Sequence, residues 1–230
     1  MYRQLSSAKT IETIETLRKR IEERFPLSDL EAVCRELCLL GKDSEQRAER
    51  IEKPNILVRV SVSLVIVAMV AVLAYSMSVF DTSLGGNNVG ELAQIMNALL
   101  NDIVLVGAAI LFLVTVESRI KRARILTSLY ELRSIAHVID MHQLTKDPSV
   151  LLQKIIQTSS SPKREMSHYE LTRYLDYCSE MLSLVGKLAA LYSDKTRDPV
   201  VLATVNEIES LTAGLNRKIW QKMMMLQKVI

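Results

Sequence analysis

At 230 residues with 49% apolar content, the chain is long enough for one membrane hairpin plus a modest soluble domain. Aromatic residues make up only 5%, glycine and proline are scarce, and nothing has the alternation of a strand-and-turn protein. The net charge of +3 is small, so its distribution along the chain matters more than its total.

Helical periodicity throughout predicts an all-α fold. Residues 5 to 24 form a charged amphipathic helix with Ile11, Ile14, Leu17 and Ile21 on one side, and Phe25-Pro26 breaks it. Ser28 and Glu31 have the spacing of a capping box. The helix they start carries Leu30, Val33, Cys34, Leu37 and Leu40 on one face, and Gly41 is expected to end it. A strongly charged stretch then leads to Pro54. Cys34, Cys38 and Cys178 are odd in number and lack framework spacing, which fits reduced thiols in a cytosolic compartment.

Ile56 to Phe80 is an apolar run with a single charge, Arg59, and its length suits a membrane-crossing helix. It begins after about fifty polar and charged residues, so it is expected to act as an internal anchor rather than a secretory signal. Ser61, Ala68, Ala71, Ala74 and Ser78 are small residues spaced for close helix approach. The following stretch, residues 81–94, is polar and glycine-rich. It lacks the Lys-Ser/Thr ending and the preceding strand of a phosphate loop.

The second apolar segment is less pure. Ile103 to Val116 rises only about 21 Å as a helix, short of a hydrocarbon core of about 30 Å. The span therefore has to extend back over about residues 95–116 and draw in Asn97, Asn101 and Asp102. Gln94, Asn97 and Asn101 follow three- and four-residue steps and share one face, with Asp102 adjacent. The same face continues through Val104, Ala108 and Leu111. In an oligomer this would make a polar, acidic vestibule above an apolar constriction, or else a set of interhelical hydrogen bonds with no pathway.

Basic residues flank both segments. Arg59 lies at the start of the first, and Arg119, Lys121, Arg122 and Arg124 follow the second, whereas the connecting turn has neither Lys nor Arg. The positive-inside rule then predicts a multi-pass protein of a bacterial-type inner membrane, with both termini cytoplasmic. These basic residues are the expected contacts for anionic lipid, in preference to nucleic acid.

Beyond the membrane, Ile125, Leu129, Leu132, Ala136 and Ile139 form a short heptad seam. No Gly or Pro interrupts the chain between Gly107 and Pro148, so one helix could run from the span far into the cytoplasm. Asp147-Pro148 and Asp198-Pro199 are helix starts, and residues 158–164 form a linker. Two further seams follow. One begins at Leu171 and runs through Leu175, Cys178, Leu182, Val185, Ala189 and Tyr192. The other is Val201, Val205, Ile208, Thr212, Leu215 and Ile219. A short connection should pair these helices as an antiparallel hairpin.

Chemistry-bearing residues are few. His137, Asp140 and His142 share a helix, but the two histidines sit about 140° apart, so structural polar contacts are the expected role and no metal or cofactor is assigned. No serine elbow, zincin, kinase or dinucleotide motif occurs, which argues against an enzyme. Arg133-x-x-x-His137 and Arg164-x-x-x-His168 resemble the Arg…His pairs of HEPN ribonucleases, which use a wider spacing, and no nuclease role is transferred. In layout alone, the hairpin resembles two-span effectors of prokaryotic defence systems and hairpin cation channels such as the mitochondrial calcium uniporter. Asn101-Asp102-Ile103 places an acid near the start of the second span, but the paired acidic motif with Trp and Pro is absent.

The sequence therefore predicts three regions: N-terminal cytoplasmic helices over 1–53, a transmembrane hairpin over 54–117, and a C-terminal cytoplasmic helical domain over 118–230 that joins the first in a coiled-coil-like bundle. The expected role is a homo-oligomer whose cytoplasmic helices sense or dock a soluble protein and couple that state to the spans. A channel-forming or membrane-disrupting effector is the specific form, and a membrane anchor or scaffold without a pore is the alternative.

Overall fold

The computed structural model describes residues 5–52, 55–83, 89–146, 148 and 166–227. The regular elements among them are α1 (Ser7–Arg24), α2 (Asp29–Glu52), α3 (Ile56–Ser83), α4 (Val89–Leu144), α5 (His168–Ser193) and α6 (Pro199–Gln227). All six are α-helices, and the described residues contain no strand. They divide into two compact units. One comprises Met1–Glu52 with Arg124–Ile230, the other Lys53–Ala123, and α4 contributes to both.

The larger unit is a helical bundle arranged on α5. Fourteen of the 26 residues of α5 are buried, too many for a single amphipathic stripe, because α1, α2 and α6 all pack on it. The expected seam from Leu171 to Tyr192 is buried throughout, and Tyr174, Tyr177, Met181, Leu184 and Leu188 bury a second side. The helix starts sharply: Ser167 accepts from the Glu170 amide while the Glu170 carboxylate accepts from the Ser167 amide, a complete capping box. Against it lies the α6 seam from Val201 to Ile219, all of it buried. Asp198 caps α6 by accepting from the Val200 and Val201 amides, as the Asp-Pro pair predicts. The Asp147-Pro148 start and the 158–164 linker lie outside the described residues, apart from Pro148 itself.

Helix α1 buries the predicted Ile11, Ile14, Leu17 and Ile21, and Ser6 caps it by accepting from the Lys9 amide. After Arg24 the chain turns at Phe25, whose ring meets Tyr174 and Tyr177 edge-on at 5.7 and 6.2 Å. Burial would push the Tyr177 phenol up, but the Arg173 and Arg24 guanidiniums beside it bring it below the usual tyrosine range. Leu27, in the left-handed region at φ 57°, completes the turn with its side chain fully exposed.

The start of α2 departs from expectation. Ser28 does accept from the Glu31 amide, but the Glu31 carboxylate does not return the bond. It faces Arg18 of α1 at 3.3 Å and Arg35 at 3.6 Å, since two guanidiniums outcompete a backbone amide for it. Only half of the predicted capping box forms.

Gly41 does not end α2 either. The helix continues to Glu52, and Gly41 is a buried interior residue. A Cβ placed there would stand 3.5 Å from side-chain atoms of Ile11 and Ile14 and 3.7 Å from Leu188. The glycine serves a close approach of α2 to α1 and α5, which is a reason other than chain termination for a residue without a side chain. Those separations are ordinary van der Waals contacts, which sets an expectation of opposite signs. Gly41→Ala should hold or raise thermal stability, since helix propensity alone favours alanine by up to about 1 kcal/mol. Gly41→Leu should overpack the site and cost about 1–3 kcal/mol. Thermal unfolding of the two variants checks both signs.

The bundle is completed by the later part of α4. Ile125, Leu129, Leu132, Ala136 and Ile139, the expected seam, are all buried. Arg47 of α2 donates to Ser128 (3.0 Å) and Glu131 (2.7 Å) of α4, and Lys222 of α6 donates to the Gln143 carbonyl (2.7 Å). Cys34, Cys38 and Cys178 are buried and unpaired with one another, and burial pushes Cys34 and Cys178 up to about 12, which leaves them as protonated, unreactive core thiols.

Candidate functional site

The smaller unit is different in kind. None of its described residues is fully buried, and α3 exposes Leu57, Leu64 and Val67 while α4 exposes Val104, Leu105 and Leu111. Its helices are longer than a bilayer core requires. At 28 residues α3 extends about 42 Å. Both apolar segments reach further than the sequence suggests: α3 continues through Asp81 to Ser83 and α4 begins at Val89, so most of the expected 81–94 turn is helical. Residues 84–88 lie outside the described residues. Among the described residues one helix, over Leu100–Leu144, is long and apolar enough to cross a membrane, and Ile56–Val72 is a shorter apolar stretch.

At the base of this unit, Glu117 gathers three donors. Its carboxylate accepts from Arg59 Nε at 2.7 Å and from the Asn55 amide at 3.3 Å, and pairs with Lys121 Nζ at 3.0 Å. Only 18% of the Glu117 side chain is exposed. The carboxylate therefore ties the first turn of α3 to α4. Sequence reasoning placed Glu117 at a span boundary without a role. The signals available were its i,i+4 spacing to Lys121 and the lone Arg59 in the facing segment. Two of the predicted lipid contacts, Arg59 and Lys121, thus have a carboxylate partner within the chain, while Arg119 stacks on Phe112 at 4.9 Å. Arg124 is exposed.

Above this base, Asn97 and Asn101 are exposed, and so are Val104, Ala108 and Leu111 in the same three- and four-residue rhythm. One face of α4 therefore carries two amides followed by apolar side chains. Neither asparagine has a side-chain partner among the described residues. The side chain of Gln94, the first member of the expected stripe, lies outside the described residues.

Asp102 does not share this face. It follows Asn101 by about 100° around the helix. Steps of four and three from Asp102 lead to Val106, Ala109 and Leu113, which are half-buried, and on towards Glu117. The amide stripe and the two acidic residues thus occupy different sides of α4.

His137, Asp140 and His142 lie along α4, as the helical spacing implies. His137 is exposed, and Asp140 accepts from Gln143 at 2.6 Å. His168 stands elsewhere in the bundle, its Nε2 donating to the Leu226 carbonyl at 3.0 Å. Among the described residues, no three His, Cys, Asp or Glu side chains are grouped to hold a metal. No family model, curated protein or solved structure matches the chain.

Proposed function

We propose that this chain is a two-span inner-membrane protein that assembles through α3 and α4 and relays the state of its helical bundle to the assembled spans. The observation that carries the reading is the exposed Asn97–Asn101 stripe on an apolar helix. In hydrocarbon, an amide without a partner is costly, so each side chain needs either water or an amide of a neighbouring copy. Copies of the stripe brought together satisfy one another or line a polar entry above the Val104, Ala108 and Leu111 side chains. Apolar residues at that depth can gate a pore by dewetting.

Several features support the coupling. Helix α4 is continuous over 56 residues and contributes to both units, so a single element joins its buried seam to the apolar segment. The orientation follows from the basic flanks and the uncharged-to-acidic turn, with both termini in the cytoplasm. A soluble protein docking on the bundle is the trigger this arrangement would take, in the manner of a channel-forming or membrane-disrupting effector.

Planar-bilayer recording of the purified protein tests the proposal. Wild type should conduct, and Asn101→Leu should reduce conductance at least about tenfold, because it removes an amide that only an assembled stripe can use. Silence of the wild-type protein under all conditions would remove the pore. Retained biological activity after exchange of both spans for an unrelated hairpin would leave a tether.

A further inference from the structure

The second half of α6 leaves one face uncovered. After Glu209 the helix carries no acidic residue through Gln227. Its exposed positions there include two cations, Arg217 and Lys218, beside the large apolar side chains of Trp220, Met224 and Met225. We propose that this face rests on a lipid surface of net negative charge.

The buried seam of α6 fixes which side of the helix points outward. Arg217, Trp220 and Met224 follow steps of three and four, and Gln221 and Met225 form the next row. Together with Lys218 they fall within an arc of about 160°, turned away from the buried Leu215, Ile219 and Leu226. Trp220, Met224 and Met225 are 59%, 55% and 43% exposed. A solvent-facing helix is ordinarily charged on its outer side, and α1, with Glu12, Lys19, Glu22 and Glu23 exposed, is built that way. The outer side of α6 is different. An apolar face edged by cations, with an aromatic ring among them, is the make-up of a helix lying in a membrane interface.

Charge selects the occupant. Neither Arg217 nor Lys218 has a hydrogen bond, ion pair or ring contact among the described residues. Glu209 stands roughly 12 Å before Arg217 along the helix axis, beyond the screening length at physiological salt. Lys222, by contrast, is half-buried and donates to the Gln143 carbonyl. A second copy presenting the same face would set these cations against their own kind. Anionic headgroups pair with them, while the acyl boundary takes the Trp and Met side chains.

Trp220 is the single tryptophan of the chain, so its emission reports this face alone. The full chain is reconstituted into liposomes of phosphatidylcholine, alone or with phosphatidylglycerol, with and without bromine at the shallow end of the acyl chains. In anionic liposomes the emission should shift to the blue, and brominated lipid should quench it at least about twofold. Molar salt should weaken both effects. Arg217→Glu with Lys218→Glu should lose the quench with an unchanged thermal melt, because each cation near an anionic surface strengthens attachment about fivefold. Arg217→Lys with Lys218→Arg should keep it. Emission that stays that of a water-exposed ring in anionic liposomes overturns the proposal. So do equal quenching in neutral and anionic lipid, and quenching that the double charge reversal leaves intact. A blue shift without quenching also overturns it, since a protein surface would then cover the face. Retention of the chain in neutral liposomes depends on the spans and not on α6, so failure of the membrane reading shows there as a separate result.

Discussion

Truncating Leu182 to alanine is expected to destabilise the bundle by about 2–5 kcal/mol, the usual cost of a large-to-alanine change at a closely packed site. Leu182 is fully buried on α5, the helix that α1, α2 and α6 share. A cavity there cannot be closed by the shift of one neighbour, because each neighbour is held by its own seam. For a domain of this size such a loss is a large part of total stability, so the variant should melt at a much lower temperature or accumulate as aggregate. Circular dichroism against temperature gives the answer. A melt within a degree or two of wild type would mean that α5 is not the centre of the core.

A still larger effect is expected in the membrane. Val67 and Leu105 lie near the middles of the two proposed spans, and both side chains are more than half exposed. Replacing both with lysine removes no core packing, but it places a charge near the centre of each span. Each lysine costs about 2.5–3.5 kcal/mol on insertion scales. The doubly substituted protein should leave the membrane pellet on alkaline extraction, while Val67→Ala with Leu105→Ala should remain. Release of the alanine variant together with the lysine variant would show that these helices do not lie in lipid.

Much of the bundle was legible because its seams repeat at three and four residues, and burial follows that rhythm in α1, α5 and α6 and in the later part of α4. What was not legible arose from contacts between helices distant in sequence. Gly41 has the composition of a stop signal, and only the approach of Ile11, Ile14 and Leu188 explains its place inside α2. Glu31 has the spacing of a capping residue, but Arg18, thirteen residues earlier, takes its carboxylate. The double-sided burial of α5 requires knowledge of its partners.

On α4 the lesson is one of phase. Asn101 and Asp102 are neighbours in the chain and stand about 100° apart around the helix, so Asp102 flanks the amide stripe rather than continuing it. Asn97 and Asn101, spaced as the sequence shows, are both exposed. The Glu117 tie was not readable, because Arg59 and Asn55 come from the other helix of the unit.

The most direct measurement is the mass of the 26.0 kDa chain reconstituted in nanodiscs, read by light scattering with the lipid contribution subtracted. The account predicts a discrete multiple of the chain mass for wild type and a shift towards a single copy when Asn97 and Asn101 are both replaced by leucine. A wild-type protein that remains a single copy at all concentrations would contradict it, because one stripe cannot satisfy itself or enclose a pathway.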